Sequence, residues 1–388
     1  MIRRTAAGVA FVFFFFAAPV TAQSLFSIRG LGVPVPPVDA RATALGGIGV
    51  GLIGFHTSLT NPAELAGVSR RGVSAALQPM RATSAVDGVE DNVDASRFPL
   101  MSVIYPVSRR IVASAAYGAY LEQSWGVTTA SEVAIGERTY GVTDVLRSRG
   151  GIAQLRVNVA YQLSPTLALG VGGGLLTGNV ERVATRTFDD TTRTLVGFRD
   201  EQRWHYTAPV LALGARWDIA GRMRVGASAM AGGALAATGE DGAGDREYGA
   251  PLELAVGASA QLSSVFVGSA GTVWSRLPAI DDAAGSRSTV RLGAGLEYQG
   301  VRSGQRVYPV RLGARWAQLP YHDAHEDAAT EWHAGIGGGF RLGDPADPAA
   351  VADFAIERGG RSGLGTAAVA PVDEKIWRFT FSLSLFAR

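Results

Sequence analysis

Residues 151–175 read GIAQLRVNVAYQLSPTLALGVGGGL. Ala153, Leu155, Val157, Val159 and Tyr161 alternate with Gln154, Arg156, Asn158 and Ala160. After Ser164-Pro165 the order resumes, with Leu167, Leu169, Val171, Gly173 and Leu175 against Ala168, Gly170, Gly172 and Gly174. A period of two with one apolar and one polar or small face marks a strand whose two sides meet different solvents. Two such strands joined by a tight turn make a hairpin.

The construction recurs. Segments 203–218 and 222–238 meet at Ala220-Gly221, and 248–262 and 263–277 meet at Ser263-Ser264. With 72–80, 98–107, 110–124, 150–163, the strand from 167, 287–299, 306–317, 330–342, 350–358 and 375–386, the reading reaches fourteen strands. Long connections at 81–97, 125–148, 184–202, 239–247, 278–286, 318–329 and 359–374 alternate with short ones, of which only 343–349 is extended. Barrels of the outer membrane have short periplasmic turns and longer outer loops. The expected fold is therefore all-β, a 14-stranded antiparallel transmembrane β-barrel occupying 72–388, its first strand running outward. The outer loops are expected to be solvated, as Asp189-Asp190-Thr191-Thr192-Arg193 suggests.

Composition agrees. Residues 1–22 read as a secretory signal: Arg3 and Arg4, an apolar run over 9–18, and Val20-Thr21-Ala22 before the expected mature start at Gln23. No later stretch supplies about twenty uninterrupted apolar residues, so a bilayer crossing requires a closed barrel, which leaves no open sheet edge in lipid. The 36 Lys and Arg, less Arg3 and Arg4, equal the 34 Asp and Glu, which leaves no cationic surplus for nucleic acid. Lys375 is the single lysine. The absence of cysteine excludes disulfides and zinc thiolates, and no cofactor is implied. Fifty glycines against seventeen prolines follow no collagen-like period and sit within the alternating segments.

The two faces of the strands differ as a barrel in lipid requires. Leu252, Leu254, Val256, Ala258 and Ala260 are expected to face lipid and Glu253, Gly257 and Ser259 the lumen; Val310, Leu312, Ala314 and Trp316 lipid and Arg311, Gly313 and Arg315 the lumen. A lipid-facing charge near the midplane costs about 2–4 kcal/mol. Arg156, Glu253, Arg291, Glu297, Arg311 and Arg315 are thus candidate lumen-lining polar residues. Their arginines can pair with a ligand carboxylate or form arginine–carboxylate ladders to Glu253 and Glu297. Trp217, Tyr298, Trp316, Trp332 and Trp377 fall near strand ends, where interfacial girdles belong.

Residues 23–71 do not alternate. Arg41-Ala42-Thr43-Ala44-Leu45-Gly46-Gly47-Ile48-Gly49-Val50 is small and apolar, and Asn61-Pro62-Ala63 opens a short helix, with proline suited to its first position. A barrel of fourteen strands is too wide for wall side chains to fill, so this segment is expected as a plug inside it, built of short helices.

These features resemble the FadL family of outer-membrane transporters for long-chain fatty acids and other hydrophobic compounds. The resemblance is carried by Asn61-Pro62-Ala63, by Val310-Arg311-Leu312-Gly313-Ala314-Arg315-Trp316, by 332–340 and by Asp353-Phe354-Ala355-Ile356-Glu357-Arg358-Gly359. It implies location in the bacterial outer membrane, a hatch containing Asn61, Pro62 and Ala63, and passive uptake of fatty acids or aromatic hydrocarbons through a lateral opening in the wall. Gly118 is the position for a kink in the third strand. Asn61 can equally be a simple helix cap. The final strand, with Trp377, Phe379, Phe381, Leu383 and Leu385, resembles the signal read by the barrel assembly machinery, although Phe386 lies in the opposite register. Barrels of secretion systems similar to PorV, which bind protein cargo, also carry Asn-Pro-Ala and remain the alternative.

Other constellations are weaker. Gly49-Val50-Gly51-Leu52-Ile53-Gly54 fits GxGxxG but follows no strand. His322, Asp323, His325 and Glu326 have metal-ligand chemistry but fall in an expected outer loop. His56, His205 and His333 show no motif linking them to a serine nucleophile, so no catalytic residue and no metal site is expected.

Overall fold

The computed structural model describes residues 24–28, 30–86, 89–189, 195–240, 242–277, 288–303, 306–322, 328–343, 348–363 and 372–387. The expected signal segment, 190–193 and 323–327, with most of the candidate metal group and of the 343–349 turn, lie outside them. The N-terminal segment contains a 3-10 turn at Leu25–Ile28, β1 (Val33–Pro34), α1 (Ala40–Ala44) and a second 3-10 turn at Pro62–Leu65. The wall follows: β2 (Arg71–Val86), β3 (Val89–Pro106), β4 (Ile111–Glu122), β5 (Trp125–Ile135), β6 (Arg138–Gln162), β7 (Leu167–Asp189), β8 (Phe198–Ile219), β9 (Met223–Gly232), β10 (Leu235–Glu240), β11 (Arg246–Tyr248) and β12 (Leu252–Gln261). It ends with β13 (Phe266–Arg276), β14 (Ser288–Ser303), β15 (Arg306–His322), β16 (Ala328–Gly343), β17 (Pro348–Gly363) and β18 (Val372–Ala387).

β5 prolongs β4, β10 prolongs β9 and β11 leads into β12, so the wall has 14 antiparallel staves. β18 pairs back with β2 and closes the ring. The alternation read at 151–175 is physical: Leu155, Val157, Leu169 and Val171 are exposed, while Gln154, Arg156, Asn158 and Ala168 are buried. Apolar groups outside and charges inside is the arrangement lipid imposes. Leu254, Val256, Leu312 and Trp316 face out, and Ser259, Arg311 and Arg315 face in. Trp316 pairs directly with Trp332 across β15 and β16, and both are exposed.

Three expectations are corrected. The supposed loops 81–97, 125–148 and 184–202 are mostly strand, because β2–β3, β5–β6 and β7–β8 continue as paired hairpins beyond the apolar belt. There both faces are wet, so pairing persists while the hydrophobic alternation that marks strands fades. The segments 222–238 and 248–262 are each broken, at 233–234 and 249–251, where Pro209 and Pro251 contribute carbonyls but no N–H (Gly232 N donates to Pro251 O at 3.0 Å, Gly233 N to Pro209 O at 2.9 Å). The N-terminal segment is mainly irregular, its one α-helix only five residues long.

That segment nevertheless fills the ring. Val33, Val35, Val38, Leu45, Ile48, Val50, Leu52 and Leu59 are buried, and its backbone abuts inward glycines of the wall. A Cβ at Gly257 would lie 2.3 Å from Val50 O, one at Gly293 2.2 Å from Gly46 O, and one at Gly313 2.4 Å from Ala44 O. The glycine excess thus has a packing cause: inward positions on several strands have no room for a side chain.

Candidate functional site

The pairing of β3 with β4 runs only from Pro106–Val112 to Leu100–Gly118. Beyond it β3 stays on β2, and the edge of β4 is taken instead from inside the barrel by β1, with Val33 opposite Glu122 and Pro34 opposite Leu121. Val35 N adds a bond of 2.9 Å to Tyr120 O. The sequence explains the break. Pro99 has no N–H for a ladder beside Leu100, and at Gly118 the N-terminal segment leaves no room for a side chain, since a Cβ there would lie 2.5 Å from Leu59 Cδ1 and 2.9 Å from Pro37 Cβ. One ion pair spans this seam: Arg97 on β3 donates from Nη1 to Glu122 Oε2 at 2.6 Å and from Nε to Gln78 Oε1 at 2.8 Å.

Asn61 caps the turn it precedes, its Oδ1 accepting from Ala63 N at 2.9 Å, and its Nδ2 donates to Ala215 O of β8 at 3.0 Å. Asn61, Pro62 and Ala63 sit in a notch formed by the paired residues Gly170 and Gly214: a Cβ at Gly214 would fall 2.0 Å from Asn61 Oδ1, one at Gly170 2.4 Å from Ala63 N. Arg216 Nη1 holds Ala66 O at 2.6 Å, and Arg224 Nη1 holds Leu52 O at 3.0 Å.

On the other side the segment is held by charge. Glu297 receives Arg41 Nε at 3.0 Å and Arg311 Nε at 2.6 Å, and Arg311 Nη1 reaches Asp353 at 2.7 Å. Arg315 pairs with Glu357. Arg361 links Glu331 at 2.6 Å to Glu374 at 3.2 Å, and Glu374 accepts from Ser24 Oγ and Leu25 N, both at 2.9 Å. Asp39 caps α1 through Ala42 N at 2.8 Å and takes Thr57 N at 2.6 Å; burial pushes its carboxyl pKa up against those bonds. Burial holds the His56 imidazole down to about 4.

The six candidate lumen residues therefore divide. Glu297, Arg311 and Arg315 belong to this network, and Arg156 donates to Leu59 O and, at 2.6 Å, to Asn158 Oδ1. Arg291 and Glu253 form no salt bridge among the described residues and line a cavity of about 40 Å³ with Tyr120, Gln154 and Leu277. Above it the inner wall is apolar and aromatic, built of Leu176, Trp204, Tyr206, Met230, Leu235 and Tyr248. A second cavity, about 290 Å³, opens at the short-turn end beside Phe55, His56, Glu64, Arg216 and Phe386, where Phe386 packs edge-on against Phe55 at 5.1 Å. Sequence reading missed Arg97, Pro99 and Glu122. Proline inside a strand pattern was the available signal, since it marks a strand edge.

A closed, lipid-facing barrel filled by its own N-terminal segment defines an integral protein of the bacterial outer membrane. The chain belongs to the BamG family, whose model matches residues 1–231. The fold is similar to that of a Pseudomonas aeruginosa FadL homologue (13% identity, 92% of this chain and 100% of that one, TM-score 0.61). It is also similar to the toluene transporters TodX of P. putida (13%, 92% and 99%, 0.59) and TbuX of Ralstonia pickettii (15%, 90% and 98%, 0.55). No curated protein sequence matches the chain significantly.

Proposed function

We propose that this barrel admits hydrophobic compounds, long-chain fatty acids or small aromatic hydrocarbons, passively across the outer membrane. Residues 23–71 act as the hatch and the seam above Gly118 as the lateral exit. The observation that carries this reading is the interrupted β3–β4 pairing, backed by the two-residue strand β1 of the N-terminal segment. The toluene transporters among the structural neighbours support the substrate class. An apolar solute gains about 0.8 kcal/mol per methylene on leaving water, so a continuous apolar path needs no energy input. The aromatic inner wall offers such a surface, and Arg291, which forms no salt bridge among the described residues, is the group to meet a ligand carboxylate. A cavity of about 40 Å³ cannot hold a fatty acid, so passage requires the hatch to move.

The natural absence of cysteine makes the test clean. Arg97→Cys with Glu122→Cys, joined by a short bismaleimide, should abolish uptake of oleate and toluene by whole cells, while the unlinked double variant transports. Equal uptake with the seam linked would overturn the lateral route. Equal uptake by a deletion strain would overturn transport altogether. The filled, ion-paired interior favours one second reading, a barrel whose external hairpins bind a protein partner. Cross-linking from β5–β6 or β7–β8 that recovers secreted proteins would favour it.

A further inference from the structure

The lipid face of the wall carries a charge that neither the hatch nor the seam uses. Along one row of the sheet Ala334 on β16, Arg358 on β17, Trp377 on β18, Arg81 on β2 and Asp94 on β3 stand side by side. The next row outward holds Trp332, Gly360, Lys375, Thr83 and Asn92. Arg358 shares the outward face of Phe354 and Ile356, both exposed, and its guanidinium lies over the Trp377 ring at 5.1 Å. Lys375, the single lysine of the chain, is exposed one row further out. The Trp332 indole leans across Gly360 towards it, its Nε1 only 3.1 Å from where a Cβ of residue 360 would be.

Arg81 is matched by Asp94 through bonds of 2.6 and 2.7 Å, and Asp373 lies two residues beyond Lys375 on the same face. Arg358 and Lys375 form no salt bridge among the described residues. Directly below the pair the face is wholly apolar, with Ile336, Ile356, Phe354, Phe379 and Phe381 exposed. A cationic pair bracketed by two indoles, on top of an aromatic and aliphatic column, is complementary to one amphiphile: a lipid with a phosphate headgroup and acyl chains.

We propose that Arg358, Lys375 and Trp332 bind the phosphate of an outer-leaflet lipid whose acyl chains lie along Phe354, Phe379 and Phe381. A lysine and an arginine supply charge-assisted hydrogen bonds to phosphate oxygens, and the indole N–H can add a third donor. Tryptophans at this depth mark the boundary where a headgroup sits, and an arginine is tolerated on a lipid face only near that boundary. Because the site is on the outside of the wall, it stands whether or not the lumen transports anything.

The test titrates the full-length protein, purified in detergent, with bisphosphorylated lipid A and with the same lipid after removal of its phosphates, followed by native mass spectrometry. The wild type should retain the phosphorylated form about ten-fold more tightly, the scale of one or two charge-assisted contacts. Arg358→Gln with Lys375→Gln should fall to the dephosphorylated level. Arg147→Gln with Arg149→Gln, which removes the same charge from the outer hairpin of β6, should change nothing. Heat-dependent gel migration reports that each variant is a folded barrel. Equal retention of both lipids, equal retention by the Arg358/Lys375 variant, or an equal loss in the Arg147/Arg149 variant would each overturn the assignment.

Discussion

The inner faces of β14–β18 and of β6–β12 both offer glycine hollows to the N-terminal segment, but among the described residues only the first adds ion pairs to it. On the first, carboxylates and arginines are shared: Glu297 serves Arg41 and Arg311, and Glu374 serves Arg361, Ser24 and Leu25. On the second, contact is made by subtraction. Gly170, Gly214 and Gly257 leave hollows that backbone and the Asn61 side chain enter, and the hydrogen bonds that cross run to neutral groups of the segment, Arg216 Nη1 to Ala66 O, Arg224 Nη1 to Leu52 O, Ser259 Oγ to Gly51 O and Asn61 Nδ2 to Ala215 O. Buried ion pairs are weak sources of net stability but penalise any wrong arrangement heavily, because a charge left alone in a dry interior is costly. Glycine contacts penalise only overlap. The charged side therefore fixes where the segment sits, and the glycine side decides how closely it fits.

The sharpest way to break this contrast is at Glu297. Glu297→Leu leaves Arg41 without its carboxylate and Arg311 with Asp353 alone, and removing one partner of a buried pair costs about 3–5 kcal/mol. Protease should then cut within 39–60 of otherwise folded barrels, read by mass spectrometry after mild digestion. A protected segment in that variant would show that the charges are incidental to its seating.

Between the two sides lies His56, and it makes the hold dependent on pH. Its pKa of about 4 in the folded protein is below the ordinary 6.5, so between those values the unfolded segment binds more protons than the folded one. The stability from burying a neutral imidazole is complete above about pH 6.5 and is lost as the pH falls through 4, about 3 kcal/mol in all at 1.36 kcal/mol per unit. Glu64 opposes this shift, while Arg41 and Arg224 reinforce it. Asp39 works in the other direction, since its raised pKa favours folding as acid is added. Corrected for the intrinsic pH dependence of exchange, the protection of amides over 51–66 should fall from pH 7 to 4.5, and His56→Gln should flatten that fall.

Which parts of this were legible in the sequence follows from where solvent differs across the chain. Strands such as 151–162 separate lipid from lumen, so Leu155 and Arg156 must alternate, and register and facing are written in the residues. Above the belt, at 125–148, water lies on both sides and pairing leaves no mark. The ion-paired role of Glu297 and Arg311 was foreshadowed by charges on an inward face, but their partner Arg41 lies 256 residues from Glu297 in sequence, and only closure of the ring brings them together. The seam was hidden for a related reason: Pro99 went unmarked and Gly118 stood only as the kink position that the family resemblance implies, and it is the pairing of β1 with β4 that makes them one feature.

The smallest expected effect tests the glycine side. Gly214→Ala adds a single methyl at a point 2.0 Å from Asn61 Oδ1 and 2.9 Å from Pro62 Cδ. Neither backbone strain nor lipid exposure is involved, because the position is an ordinary inward residue of β8 paired with Gly170. The methyl must therefore displace Asn61, costing its bond to Ala215 O and the cap on Ala63 N, and overpacking of this kind costs about 1–3 kcal/mol. Because Arg41 and Glu374 still grip the segment from the other side, it should remain inside the barrel with faster exchange confined to 58–66. Exchange spreading to 39–50 in Gly214→Ala would mean that the two sides act as one, and the division of labour between charge and glycine would fall.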